Sequence, residues 1–548
     1  MDPRTSMRFR AIRHYPAVIL FIPAAFCEID RPAAPVPPKE VTVTLVGRAA
    51  DLGAEIVNFG LPLPPGFLED AAHVRLYRED GSELQAAVRS LEPWRIDGKD
   101  GTIRSLQIQL RSDFREHPRQ QVRIVFGRRR NSAGPDFVPV KQTLIEEDGL
   151  KGPRVLALIP ARWLCDSWVV GPQVPASESG PYKDYDRLVE KNFAGSLRYI
   201  ASTQYDHWLF DRTTCWYKMY VRGGEEKFLD AAYQAAHFVR LHTRMDGPDA
   251  GTFIPKGKPD LKYVYPRAQH IHYLLTGDER ALEAAKIMAK FILNHWDPVY
   301  HGGFWTPRHE GYGLLGIVHG WELTGDPVYW KKARAYADAL YLHQKQPPDG
   351  RPPDGSFREN WAQYDPSEAK FEGATSAWMM AILLDPMFHY WTLTGDSRIP
   401  EMVLRWCDFL DRQGLQPDGR SAYYVINCFA GQPGELPSTV NGDMTRHDTE
   451  MSYEFAMGIY FSTDKEAIEQ LVIGAAEPVK FFVNYSGWSP GQLEGEIEGG
   501  GWMVTPADKE HIFRSDEELW AVVMRLAGRR LRLAGVDPKL IPDDPSVN

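Results

Sequence analysis

The 548-residue chain reads as a multidomain α+β protein, an antiparallel β-domain followed by an (α/α)6 toroid. Three observations predict this. Short apolar runs alternate with period 2 from residue 40 to about 127, and the period turns helical from about Tyr185. Within the helical part a hairpin recurs around the tripeptide Thr-Gly-Asp. The resulting boundaries are residues 1–39 for an export signal and Pro-rich linker, 40–135 for the β-domain, 136–184 for a bridging segment, 185–535 for the toroid and 536–548 for a tail.

The first segment carries Arg4, Arg8, Arg10 and Arg13 ahead of the apolar run PAVILFIPAAFC, the shape of a secretory signal peptide. That run is too short to span a bilayer, so no membrane span is expected and the protein is placed outside the cytoplasm, secreted or periplasmic. Outside it only Cys165, Cys215, Cys407 and Cys428 remain, enough for a disulfide but not for a stapled framework. In the β-domain, VTVTLVG, AEIVNFG, TIRSLQIQL and QVRIVFG alternate between turn residues, with Asp-Gly pairs at 80–81, 97–98 and 100–101. Pro62, Pro64 and Pro65 interrupt one run and belong at an edge or in a loop.

The helical hairpins are YVRGGEEKFLDAAYQAAHFV, YLLTGDERALEAAKIMAKFIL, WELTGDPVYWKKARAYADALY and WTLTGDSRIPEMVLRWCDFL, with a weaker fifth copy, IYFSTDKEAIEQLVIGAAEPV. Gly223, Gly277, Gly325 and Gly395 are placed to close the first helix of each pair in the left-handed conformation, and the next polar residue to cap the second. Those glycines are 54, 48 and 70 residues apart, beyond the roughly 34–47 of an open helical solenoid. The surplus lies in long Gly-, Pro- and aromatic-rich return loops. With a first helix near 185–201 and a last one at SDEELWAVVMRLAGRRL, six inner and six outer helices close a toroid with short turns at one end and long loops at the other.

Functional side chains are then sought where the chain enters each inner helix from the loop end. Those positions hold Asp206, His207, Trp208 and Arg212; Tyr265, Arg267 and His270; Arg308, His309 and Tyr312; Glu372 and Trp378; Arg446, His447 and Asp448; and Arg514, Ser515 and Asp516. An Arg stands at five of six starts, against the helix dipole, which favours anions there. Either each Arg pairs with a neighbouring acid, or guanidinium and imidazole groups converge on an anionic ligand such as a sugar carboxylate. For β-elimination beside a uronate, Arg267 or Arg308 would neutralise the carboxylate while His309, Tyr312 or Tyr265 serve as base and acid. Hydrolysis would instead use two of Glu372, Asp448 and Asp206. A net charge of −10, from 63 basic and 73 acidic residues, excludes a generally basic nucleic-acid binder. GTFIPKGKP fails as a phosphate loop, and no G-x-S-x-G, H-E-x-x-H or paired C-x-x-C occurs. No cofactor is expected, and loop carboxylates leave room for a divalent cation.

The stretches VNFGLPLPPGFLED (57–70), VRLYREDGSELQAAV and WRIDGKDGTIRSLQIQL (94–110), followed by the TGD hairpins, resemble the rhamnogalacturonan exolyase-like family. That resemblance implies a RIFT-type barrel before the toroid and cleavage of an acidic polysaccharide in a cleft on the toroid. The sequence reading is therefore an exported polysaccharide lyase acting on an acidic polysaccharide or oligosaccharide, with a glycoside hydrolase or a non-catalytic glycan-binding protein as alternatives.

Overall fold

The computed structural model describes residues 35–426, apart from 49–51, 131–133, 148–149, 181–186, 188–198, 201, 210, 300–303, 361–373, 416–421 and 424–425. All of them belong to one unit of the chain, Asp30–Met457. The signal segment, nearly all of the helix expected at 185–201, the fifth hairpin and the last helix lie outside the described residues.

The protein is mixed α+β. Ten strands are present among the described residues: β1 (Glu40–Gly47), β2 (Ala54–Pro62), β3 (Val74–Tyr77), β4 (Glu83–Leu84), β5 (Ala86–Ile96), β6 (Lys99–Asp113), β7 (Arg119–Phe126), β8 (Leu144–Glu147), β9 (Leu150–Pro153) and β10 (Val155–Leu158). They pair antiparallel in a five-stranded sheet of order β10-β1-β7-β3-β4, a three-stranded sheet β2-β6-β5 and a hairpin β8-β9. The strands are thus shared among separate sheets. Residues 155–158, expected in the bridge, complete the first sheet beside β1. Asp97-Gly98 makes the β5–β6 turn with both φ values positive, 53° and 74°, as a two-residue hairpin requires. Asp100-Gly101 is instead strand, inside β6. Pro62 ends β2, an edge strand of its sheet, where a missing N–H costs no ladder bond.

Nine α-helices follow or interleave among the described residues: α1 (Ala161–Asp166), α2 (Arg212–Gly223), α3 (Glu226–Leu241), α4 (Pro266–Thr276), α5 (Glu279–His295), α6 (Pro307–Thr324), α7 (Pro327–Lys345), α8 (Ala377–Thr394) and α9 (Arg398–Phe409). From α2 onward they form four hairpins. The Thr-Gly-Asp turn works as a unit. Thr276, Thr324 and Thr394 donate to the carbonyls of His272, Gly320 and Tyr390 at 2.6–2.8 Å, and their oxygens accept the N–H of Asp278, Asp326 and Asp396 at 3.1–3.2 Å. Each Asp in turn accepts from the N–H two residues on, starting the next helix. The glycine between them is left-handed in all three. In the first hairpin that residue is Gly224, at φ 71°, rather than Gly223, and Glu225 makes no side-chain cap.

The three-stranded sheet sits on the short-turn end of the helices and supplies partners for their last carbonyls, which a helix cannot satisfy internally. Ser105 donates to Leu274 O (2.6 Å), Asn58 to Thr276 O (2.8 Å), Asp97 N–H to Leu393 O (2.9 Å), and Arg95 to Glu322 O. For this reason β6 is buried on both faces: Leu106, Ile108 and Leu110 on one, and Ser105, Gln107 and Gln109 on the other. No helix among the described residues is long and apolar enough to cross a membrane.

Candidate functional site

At the start of α2, Asp211 holds a left-handed φ of 42° and caps the helix, its carboxylate accepting from Thr214 N–H (3.2 Å) and Thr214 Oγ1 (2.7 Å). Burial pushes its carboxyl up to about 6, against the pull of these hydrogen bonds and of Arg267 and Lys218. Arg267, fully buried at the start of α4, is already engaged. It pairs with Asp385 of α8 and donates to Val170 O at 2.7 Å, and Lys218 reaches the same carboxylate at 3.1 Å. Burial would raise the Asp385 carboxyl, but the two cations overcome it and hold it below the usual carboxylate range. Arg267 therefore follows the ion-pair alternative.

Arg308, at the start of α6, does not. Its guanidinium lies 5.1 Å from the Trp378 ring centroid, it is 8% exposed, and it has no hydrogen-bond or ion-pair partner among the described residues; its Nε is fully buried and unsatisfied. Beside it His309 is buried between Trp296 (5.6 Å, stacked) and Phe304 (4.6 Å, edge-on), with Nδ1 2.8 Å from Thr306 Oγ1. Burial first, then the charges of Arg308 and Lys262, hold its imidazole well below the usual range, so it is neutral. One helical turn beyond Arg308, and so on the same face, Tyr312 packs 5.6 Å from the Tyr265 ring. The Tyr265 hydroxyl donates to the carbonyls of Trp208 (3.0 Å) and Lys262. Arg212, half-buried, stands 5.7 Å over Tyr199 and within electrostatic reach of Tyr265. Burial lowers its pKa, and it too has no hydrogen-bond or ion-pair partner among the described residues, with Nη1 buried and unsatisfied. Arg212, Tyr265, Tyr312, Arg308 and Trp378 therefore form one row across the starts of α2, α4, α6 and α8.

The other sequence candidates are placed elsewhere. Trp208 stacks flat on Phe238 at 4.6 Å and donates to Ser202 O, a packing role. His207 stacks on Tyr199 at 3.8 Å with Nδ1 2.7 Å from Ser202 Oγ. Asp206 lies in the same short 3-10 turn, Tyr205–Trp208. His270, placed with the loop-end candidates by sequence, lies fully buried on α4, its Nε2 bonded to a β-domain carboxylate. Glu372, Arg446, His447, Asp448, Arg514, Ser515 and Asp516 lie outside the described residues.

His270 belongs to a second cluster that sequence reasoning missed. Its Nε2 is 2.7 Å from Glu92 Oε1 of β5, and its Nδ1 is 2.8 Å from Nδ1 of His319 on α6. Glu322, one turn after His319, takes Arg104 Nη1 of β6 at 2.5 Å and His389 Nε2 of α8 at 3.1 Å on its Oε1. Arg104 also stacks over Trp94 at 4.5 Å. Burial would raise the Glu322 carboxyl, but Arg104 and His389 hold it well below the usual range, whereas burial keeps His319 neutral. The one sequence signal was His-x-x-Glu at 319–322, which puts both side chains on one helix face.

Up to residue 426 the chain thus combines antiparallel sheets with α-hairpins, and a different relationship appears in its C-terminal part. Residues 435–532 match the model of the AlgH-like family. A UPF0301 protein of Streptomyces avermitilis is 30% identical over 156 residues, 27% of this chain and 72% of that protein. One from Thermobifida fusca is 36% identical over 88 residues, and one from Chlorobaculum tepidum 34% over 107. Those matches take in 16% and 19% of this chain and 42% and 57% of the relatives, so the chain spans about half the length of these two. Through its C-terminal segment the chain belongs to the AlgH-like, UPF0301 family. Among solved structures, cellobiose 2-epimerase from Spirochaeta thermophila aligns over 45% of this chain and 70% of that one, at 13% identity and a TM-score of 0.33, too low to define a shared fold.

This corrects the family reading. The rhamnogalacturonan exolyase-like resemblance is replaced by AlgH-like membership, carried by residues whose helical period suggests the last toroid hairpins. The descriptions polysaccharide lyase, glycoside hydrolase and signal peptide find no support in these relatives, which are AlgH-like, UPF0301 proteins.

Proposed function

We propose that the row from Arg212 to Trp378 binds a small carboxylate-bearing ligand, an acidic sugar being the class that fits best. The observation that carries this is Arg308. Among the described residues its buried guanidinium meets no anion, which is costly, and a ligand carboxylate would supply that charge through a forked pair of hydrogen bonds. Arg212 offers a second cation on the same row, and Tyr265, Tyr312 and Trp378 offer aromatic surface against which a sugar ring packs. Binding is favoured over proton abstraction because the burial that keeps His309 neutral also makes it a weak base. We further propose that the four hairpins form an arc of an α/α toroid. In support, α6 packs against both α4 and α8, and α2 against α4, so successive inner helices are neighbours.

The test is calorimetric titration of the full chain with galacturonate, its short oligomers and the matching neutral sugars. Binding of the acidic ligands alone is expected, weakened about 10- to 100-fold in Arg308→Gln, the loss of one charged hydrogen-bonding group, with the melting temperature of the free protein not lowered. Equal binding of acidic and neutral sugars, or no effect of Arg308→Gln, would overturn the reading.

A further inference from the structure

The second cluster has the makings of a metal centre. One nitrogen each from His270 and His319 and one carboxylate oxygen of Glu322 lie within 4.8 Å of one another. The two Nδ1 atoms are 2.8 Å apart and His319 Nδ1 is 3.2 Å from Glu322 Oε2. Tetrahedral ligands bonded at about 2.0–2.1 Å stand about 3.3 Å from each other, so the two imidazole nitrogens need to part by only about half an ångström to admit an ion. We propose that His270, His319 and Glu322 hold a divalent transition-metal ion of zinc type, buried where α4 and α6 meet the three-stranded sheet.

The surroundings are organised for this. Glu92 accepts from His270 Nε2, the arrangement that orients a ligating imidazole and leaves its Nδ1 to the metal. Arg104 and His389 occupy Oε1 of Glu322, so Oε2 is the oxygen left over, with His319 Nδ1 beside it at 3.2 Å. Glu92 Oε2 and His319 Nε2 are buried and unsatisfied among the described residues. All three ligand residues are at most 1% exposed. Two imidazoles and one carboxylate suit zinc and exclude magnesium and calcium, which take oxygen sets. Such burial holds the ligands between the sheet and the helices.

The test uses the full chain, saturated with zinc and freed of excess. Elemental analysis should find about one zinc per chain, lost in His270→Ala and in Glu322→Gln. Stripping with a strong chelator should lower the wild-type melting temperature and added zinc restore it, while Glu322→Gln responds to neither. Cobalt(II) substitution should give the visible absorption of a tetrahedral nitrogen–oxygen site in the wild type only. Should His270→Ala fail to fold, His319→Gln serves as the second ligand variant. Substoichiometric zinc in the wild type, or equal zinc in the wild type and folded ligand variants, overturns the proposal.

Discussion

Gly277→Ala is the sharpest test of how the β-domain is seated on the helices. Two penalties are expected, and the structure separates them. Gly277 sits at φ 68°, where a side chain costs about 1–2 kcal/mol. Its new Cβ would also lie 2.5 Å from Cδ of Gln107, which is buried and fixed at both ends, donating to Asn58 Oδ1 and accepting from Arg89 Nε at 2.7 Å each. Moving Gln107 aside leaves a buried polar group unsatisfied, about 1–3 kcal/mol more. The sum is about 2–5 kcal/mol. Gly395 closes α8 at φ 64°, but a Cβ there meets nothing within 4 Å among the described residues, so Gly395→Ala should cost only the first penalty. Urea denaturation followed by tryptophan fluorescence gives both losses from the midpoints, and Gln107→Ala closes a double-mutant cycle with Gly277→Ala. Equal losses for the two glycine variants, or an additive cycle, would refute the argument that Gln107 is the contact.

Asp211→Asn should stabilise the protein at neutral and alkaline pH. The Asp211 carboxyl is raised to about 6 in the fold; ionisation above that value opposes folding, and the penalty fades as pH falls through 6 toward the ordinary carboxylate range. The gain at pH 8 should be on the order of 2–3 kcal/mol, vanishing by about pH 4, read from denaturation midpoints across pH; a pH-independent gain would contradict it. Arg267→Met leaves the Asp385 carboxylate with Lys218 alone and should cost about 2–4 kcal/mol, part of it recovered in Arg267→Met/Asp385→Leu. Asp385 titrates below its unfolded value, so its contribution is complete at neutral pH and is lost as the pH falls through that lowered value; Asp385→Asn should flatten the acid limb of the stability curve.

The turns were legible because each depends on neighbours only. Thr-Gly-Asp carries its own hydrogen bonds within a few residues, and where the sequence offers two glycines, at 223 and 224, only the packed structure selects the second. Which arginine is open to a ligand was not legible. Arg267 and Arg308 stand at equivalent helix starts, and the difference between them is Asp385, 118 residues from Arg267. The metal cluster shows the same limit. His319 and Glu322 are visible as a pair on one helix face, but Glu92 and Arg104 arrive from the β-domain, 178 residues from His270 and 218 from Glu322.

The C-terminal segment marks a different boundary. Helical period reports only that one face of a segment is apolar; a toroid hairpin and an AlgH-like segment can both satisfy it. The repeat in residues 266–409 is more than periodicity, since the same closing turn returns with the same side-chain bonds. IYFSTDKEAIEQLVIGAAEPV keeps the Thr and Asp of that turn but lacks the glycine between them, the one residue that tolerates the left-handed closure. The family match beginning at residue 435 starts upstream of it. A backbone requirement, more than hydrophobic pattern, marks the turn in the described hairpins, each of which closes on a left-handed glycine, Gly224, Gly277, Gly325 or Gly395.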